Sequence, residues 1–164
     1  MTIMESLLNT DGASAVVDSY ALYHISTGHS EAAVRIRDRV SSGALFLAVP
    51  SVAFAVSSGM RNCWDSHCER AHVADYGNVL RNFHQQAGVG IIEPDPELSL
   101  SAGRLYAQCS DQRVVGSEVL ASCHAVLLAE GAALPLLSVL RALYCYKPLS
   151  ETLPEGRLHF IPTR

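Results

Sequence analysis

Residues 13–18 read Ala13-Ser14-Ala15-Val16-Val17-Asp18. A short β-branched run that ends in an acid predicts a buried strand with Asp18 at its carboxyl end. Further along the chain, four more short apolar runs predict strands at 44–49, 89–92, 134–138 and 157–161. The run 44–49 is apolar at consecutive positions, which is typical of a strand covered on both faces in a parallel sheet.

The segments between these runs carry apolar residues three and four positions apart, which predicts amphipathic helices. The clearest of them covers 117–130, and a longer one is expected over about 65–86. Strands that alternate with helices indicate an α/β fold, here a three-layer α/β/α sandwich around a central, mainly parallel sheet of about five strands. Functional groups in such folds gather beyond the carboxyl ends of the strands.

Length and composition predict a single domain over residues 1–164, with residues 1–12 flexible or loosely packed. Apolar residues make up 49% of the chain and charged residues 17%, which excludes a disordered polyelectrolyte. No stretch approaches the roughly 18 uncharged apolar residues of a membrane span. The first residues lack the pattern of a signal peptide, so a cytoplasmic location is expected.

The charge and the cysteines narrow the function classes further. The formal net charge is −4, which argues against a globally basic nucleic-acid binder. Five cysteines, an odd number, are more typical of reduced thiols than of a disulfide framework.

Several short pieces, taken in order, resemble a PIN domain, the fold of many bacterial toxin–antitoxin ribonucleases. Their order and spacing carry the resemblance, which spans nearly the whole chain. The pieces are Val16-Val17-Asp18-Ser19, Val49-Pro50-Ser51-Val52, Ile92-Glu93-Pro94-Asp95-Pro96 before Gly103-Arg104-Leu105, Ser117-Glu118-Val119-Leu120-Ala121 with Ala125, and Pro135-Leu136-Leu137-Ser138.

The resemblance implies metal-dependent cleavage of phosphodiesters, in which three or four carboxylates hold Mg²⁺ or Mn²⁺. The family's first acid falls on Asp18, and its third falls on Glu118 in place of the usual aspartate. The second falls on Val56, and the fourth on Val139-Leu140, which Arg141 follows. Two of the four acidic positions are therefore aliphatic.

Hard divalent cations need that concentration of charged oxygens, so the loss of two carboxylates predicts weak or vestigial metal binding at Asp18 and Glu118. We expect a degenerate PIN-like domain without efficient nuclease activity and without a tightly bound cofactor, acting as a binding or regulatory protein. The alternative is a weak Mg²⁺- or Mn²⁺-dependent endoribonuclease of the toxin–antitoxin type with Asp18 and Glu118 as catalytic residues. Both acids also have structural interpretations: Asp18 as a helix cap, and Glu118 as a first-turn acid favoured by the helix dipole.

A second cluster lies in Cys63-Trp64-Asp65-Ser66-His67-Cys68-Glu69-Arg70-Ala71-His72, where two Cys-x3-His pairs contain the usual zinc ligands. The pair Cys63 and His67 is offset by five residues from the pair Cys68 and His72, which is about 140° around a helix. One straight helix cannot bring all four ligands to one ion. Polar surface side chains are therefore favoured over a zinc site.

The resemblance also implies a symmetric homodimer, for which Phe54 and Met60 are candidate contacts. A further partner is expected to be RNA or an antitoxin-like protein. Arg35 and Arg39 share one face of a predicted helix. That face is either an RNA-facing ridge or, in the favoured interpretation, an ordinary solvated surface.

Overall fold

A computed structural model describes residues 1–60 and 75–163. Its centre is a five-stranded, all-parallel sheet in the order β3-β2-β1-β4-β5. This confirms the expected fold class, and all five predicted strands are present. They are β1 (Ala13–Val17), β2 (Leu45–Pro50), β3 (Val89–Ile92), β4 (Leu136–Ser138) and β5 (Leu158–Phe160).

Helices follow the strands and complete a three-layer α/β/α arrangement. The described helices are α1 (Ile3–Asn9), α2 (Ser19–Thr27), α3 (Glu31–Ser41), α4 (Ser51–Ser58), α5 (Tyr76–His84), α6 (Pro96–Asp111), α7 (Ser117–Ala132) and α8 (Leu143–Tyr146). Short 3₁₀ turns, Leu140–Ala142 and Lys147–Leu149, flank α8. Of the long helix expected over 65–86, the described part is α5.

Strand β1 lies at the centre of the sheet, where it pairs with β2 on one side and β4 on the other. Ala15, Val16 and Val17 are completely buried. The register places Val17 beside Leu137, so the chain leaves β1 and β4 at adjacent points of the same sheet edge. The first residue after β1 is therefore carried into the interior next to the end of β4.

Helix α1 lies within the stretch expected to be loosely packed. Thr2 and Glu5 cap it reciprocally: the Glu5 amide donates to Thr2 Oγ1, and the Thr2 amide donates to Glu5 Oε2. Leu7 of α1 is buried in the core. Arg39 of α3 donates to the Leu7 and Thr10 carbonyls and forms an ion pair with Asp11 at 2.9 Å. Helix α1 is therefore fastened to the domain by side-chain contacts.

Two side chains that were expected to be exposed at the surface, those of Met60 and Arg39, have other surroundings in the structure. Met60 is 5% exposed and belongs to the core, so its side chain is not available for a dimer contact. Arg39, for which a solvated surface was favoured over an RNA-facing ridge, is engaged with backbone carbonyls and Asp11. Among the described residues, no helix combines the length and apolar character needed to cross a membrane.

Candidate functional site

Asp18 and Ser138 meet at the carboxyl edge of the sheet because their strands are parallel neighbours. The Asp18 amide donates to the Leu137 carbonyl at 3.3 Å, which continues the pairing by one residue beyond β1. Ser138 ends β4, and its hydroxyl donates to Asp18 Oδ2 at 2.5 Å. The sequence prediction that Asp18 lies at a strand end is confirmed.

Asp18 is completely buried, and its carboxylate accepts hydrogen bonds from three elements. Oδ1 accepts from the Ala21 amide at 2.7 Å, so Asp18 caps the N-terminus of α2. Oδ2 accepts from Ser138 and from the hydroxyl of Tyr146, which comes from α8. The acid at the end of β1 thus joins α2, β4 and α8.

Burial dominates the electrostatics of this carboxyl group. Loss of solvent raises the pKa of Asp18 above its ordinary value of 3.8, although the surrounding donors oppose the shift. Burial also raises the pKa of Tyr146 well above 10, and the neighbouring Asp18 adds to the shift. Tyr146 therefore stays protonated at neutral pH and acts as a hydrogen-bond donor.

Glu118 lies in the first turn of α7 and is half-buried. Its carboxylate folds back over Gly116, which has a φ of +132°. A Cβ at that glycine would approach Glu118 Oε1 to 2.7 Å, so any side chain there would displace the carboxylate. The hydroxyl of Tyr144 donates to Glu118 Oε1 at 3.0 Å. Glu118 is therefore held at the helix N-terminus, where the dipole favours an acid.

Tyrosines of α2 and α8 lie beside the two acids, and none of these tyrosines was singled out from the sequence. Tyr20 and Tyr144 place their hydroxyls 2.7 Å apart, and both Asp18 and Glu118 contribute to raising the pKa of Tyr20, after burial. Tyr144 and Tyr146 sit two residues apart on α8. The available signal was Leu143-Tyr144-Cys145-Tyr146, a segment with two tyrosines that begins five residues after Ser138, the last residue of β4.

The two positions where the resemblance places further acids supply no ligand. Val56 is half-buried on α4 and packs against the core. Val139 is buried, and Leu140 is 61% exposed. Neither kind of side chain offers an oxygen to a cation.

The nearby serine hydroxyls are uncharged, and two of them bond to other protein groups. Ser57 bonds to the Tyr76 hydroxyl at 2.8 Å, and Ser58 donates to the Ala55 carbonyl at 2.6 Å. Ser19, beside Asp18, is buried, and its hydroxyl has no partner among the described residues. A lone neutral hydroxyl is a poor substitute for two carboxylates.

The described residues do not make up a site in which three or four carboxylates hold Mg²⁺ or Mn²⁺. In the ranges 1–60 and 75–163, no group of three or more His, Cys, Asp or Glu side chains is placed to hold a metal ion. The one buried acid at the sheet edge is closed off by three donors. A cation would have to displace these donors and enter a region from which water is excluded.

The candidate zinc ligands Cys63, His67, Cys68 and His72 lie outside the described residues. The remaining cysteines, Cys109, Cys123 and Cys145, are free and buried.

Comparison with solved structures supports the fold. The chain is similar to VapBC2 from Rickettsia felis, whose structure was determined bound to a DNA fragment from its promoter, with a TM-score of 0.57 and 12% sequence identity. The match covers 91% of this chain and 99% of that one. VapBC2 is a toxin–antitoxin complex with a PIN domain. No family model and no curated protein matches the chain by sequence. The strand order, the all-parallel sheet and this likeness together show a PIN-like fold.

Proposed function

We propose that this PIN-like domain works by binding and lacks efficient nuclease activity. The observation that carries the proposal is the state of Asp18, the acid that the resemblance makes the first metal ligand. It is completely buried and accepts hydrogen bonds from Ala21, Ser138 and Tyr146. A nuclease of this type needs that carboxylate open to an ion and to the phosphate.

The cleavage assay that tests this proposal uses labelled RNA with millimolar Mn²⁺ or Mg²⁺. We expect no difference between the native chain and an Asp18→Ala variant. The variant is the control for contaminating ribonucleases, which it would carry equally. Product that disappears both with EDTA and in the variant would overturn the proposal.

That same outcome would support the alternative function, a weak metal-dependent endoribonuclease. The observation in its favour is that Tyr146 and Tyr144 of one short helix, α8, reach Asp18 and Glu118 respectively, so the two retained acids lie near the same helix. Glu118 is half-buried and more accessible than Asp18. Cleavage should then also be lost in a Glu118→Gln variant.

For the partner, we favour a protein of the antitoxin type over RNA. Leu140, Leu143 and Tyr144 are 61%, 36% and 41% exposed and lie on one segment beside Glu118. Exposed apolar groups grouped in this way are typical of protein-binding surfaces. The net charge of −4 and the engagement of Arg39 give RNA less support.

Coexpression with the product of an adjacent small gene tests the partner. We expect the two chains to copurify, and a Leu140→Glu variant to lose the association while a Leu100→Glu variant keeps it. Leu100 is a matched control because it is 56% exposed on a different helix, α6. Equal loss with both variants, or no copurification, would contradict an antitoxin-type partner.

The symmetric homodimer and the cytoplasmic location stay predictions. Phe54 is half-buried and packs edge-on against His84, with ring centroids 5.7 Å apart. Light scattering that gives twice the chain mass of 17.7 kDa would establish the dimer.

A further inference from the structure

Helix α8 presents one tyrosine to each retained acid. Tyr146 is 3% exposed and reaches Asp18, whereas Tyr144 is 41% exposed and reaches Glu118. Residues two positions apart on a helix are separated by about 200° around its axis, so their side chains lie on nearly opposite faces. One turn can therefore place one tyrosine against an interior acid and the other against a surface acid. We call these two residues the tyrosine cover.

The direction of donation in the hydrogen bonds around Tyr144 can be assigned. Each tyrosine hydroxyl has a single proton, and an ionised carboxylate is an acceptor only. Because Tyr144 donates to Glu118, its oxygen accepts from Tyr20 across their 2.7 Å contact. Hydroxyls in such a chain polarise one another, which strengthens the final bond to the carboxylate.

The cover also occupies the coordination space of the acids. Tyr146 and Ser138 both donate to Oδ2 of Asp18, and Ala21 donates to Oδ1. A divalent cation and these donors need the same lone pairs. A cation would therefore have to compete with these donors at Asp18, and with the Tyr144 hydroxyl for Oε1 of Glu118.

We propose that the tyrosine cover replaces the metal ion of this fold: the Tyr144 and Tyr146 hydroxyls satisfy Glu118 and Asp18, hold residues 140–149 over the sheet edge, and exclude divalent cations. This inference rests on the proposed function, since the tyrosine cover would explain why a site that retains two acids binds no divalent cation. It assigns Tyr20 as a positioning residue, because Tyr20 acts on Glu118 through Tyr144.

The first experiment measures the coupling between Tyr146 and Asp18. Tyr146→Phe, Asp18→Asn and the double variant are unfolded in urea at neutral pH. We expect the unfolding equilibrium constants to be non-additive by at least about tenfold, since a hydrogen bond to a charged group changes such a constant by that factor or more. Additive constants would overturn the assigned contact.

The second experiment measures exclusion of the cation, which a merely structural role would not affect. Thermal unfolding is followed with and without millimolar Mn²⁺ for the native chain, Tyr144→Phe/Tyr146→Phe, and Tyr76→Phe as a control. Tyr76 is a buried tyrosine bonded to serine hydroxyls. We expect Mn²⁺ to raise the melting temperature of the double variant by several degrees and to leave the other two proteins unchanged. Equal Mn²⁺ responses in native chain and double variant would overturn the proposal, whatever the coupling.

If the double variant does not fold, Tyr144→Phe alone gives the same comparison at Glu118, because Tyr144 lies at the surface. The two proposals fail differently. Mn²⁺-dependent RNA cleavage by the native chain would end the proposed function, yet faster cleavage by the double variant would still support the cover. A Mn²⁺ response that the cover does not change would end the inference alone.

Discussion

Two buried tyrosines of this domain differ in the charge of what they bond to. Tyr76 of α5 places its hydroxyl 2.8 Å from Ser57 and 3.2 Å from Ser26, both of which are neutral. Tyr146 of α8 donates to the carboxylate of Asp18. Burial raises the pKa of Tyr76 to about 12, and it raises that of Tyr146 well above 10 with Asp18 contributing.

The two tyrosines differ in how easily their hydrogen-bond partners could be satisfied by another group. The serine hydroxyls beside Tyr76 can rotate and share protons, so that cluster is a packing feature with adaptable bonds. The carboxylate beside Tyr146 cannot donate, and an unsatisfied charge in the interior is costly. The tyrosine at the sheet edge is therefore the less replaceable of the two.

The largest effect should come from Tyr146→Phe. Removing one donor from a buried carboxylate should lower the free energy of unfolding by about 2 kcal/mol, since hydrogen bonds to charged groups contribute about 1.5–3 kcal/mol. Urea unfolding at pH 7 measures the loss. A change below about 0.5 kcal/mol would show that Asp18 does not depend on this hydroxyl.

The contribution of the Asp18 charge to stability is tested by comparing the native protein with an Asp18→Asn variant at several pH values. The folded-state pKa of Asp18 lies above 3.8, so the native protein binds this proton more tightly than the unfolded chain does. The Asp18 contribution to stability therefore decreases as pH rises from about 3.8 through the raised pKa. Asparagine has no such proton, so stability of the variant relative to the native protein should increase over that window. Urea unfolding of both proteins from pH 4 to pH 8 gives this difference, and a difference that falls with pH would contradict the raised pKa.

A smaller loss is expected for Tyr76→Phe. Deleting a hydroxyl that bonds to neutral serines should cost about 1 kcal/mol, the usual contribution of a neutral hydrogen bond. The same urea titration applies. If Tyr76→Phe cost as much as Tyr146→Phe, the charge on the acceptor would not be what separates the two regions.

The smallest effect belongs to Tyr144→Phe, because its carboxylate partner is half-buried and the ring is 41% exposed. Water can replace the lost bond to Glu118, so the free energy of unfolding should change by less than about 0.5 kcal/mol. A loss of about 2 kcal/mol would show that Glu118 depends on its tyrosine donor as strongly as Asp18 does.

Much of the fold was readable from local patterns. The runs around Val16, Leu47 and Leu137 predict buried parallel strands because apolar residues at consecutive positions need cover on both faces. Helix α1 was missed, although Thr2 and Glu5 stand at the spacing of a capping box, because only seven residues form the helix. The burial of Met60 was also missed, since one apolar residue without a periodic neighbour does not reveal which way it faces.

The order of strands and helices and the place of Asp18 after β1 could be predicted from the sequence, because they follow from short-range periodicity and from residues adjacent in the chain. The tertiary structure alone decided which groups close around that acid. Ser138 and Tyr146 lie 120 and 128 positions away from Asp18 along the chain. They meet it because parallel pairing of β1 with β4 brings both strand ends to one edge, and no local pattern encodes that meeting.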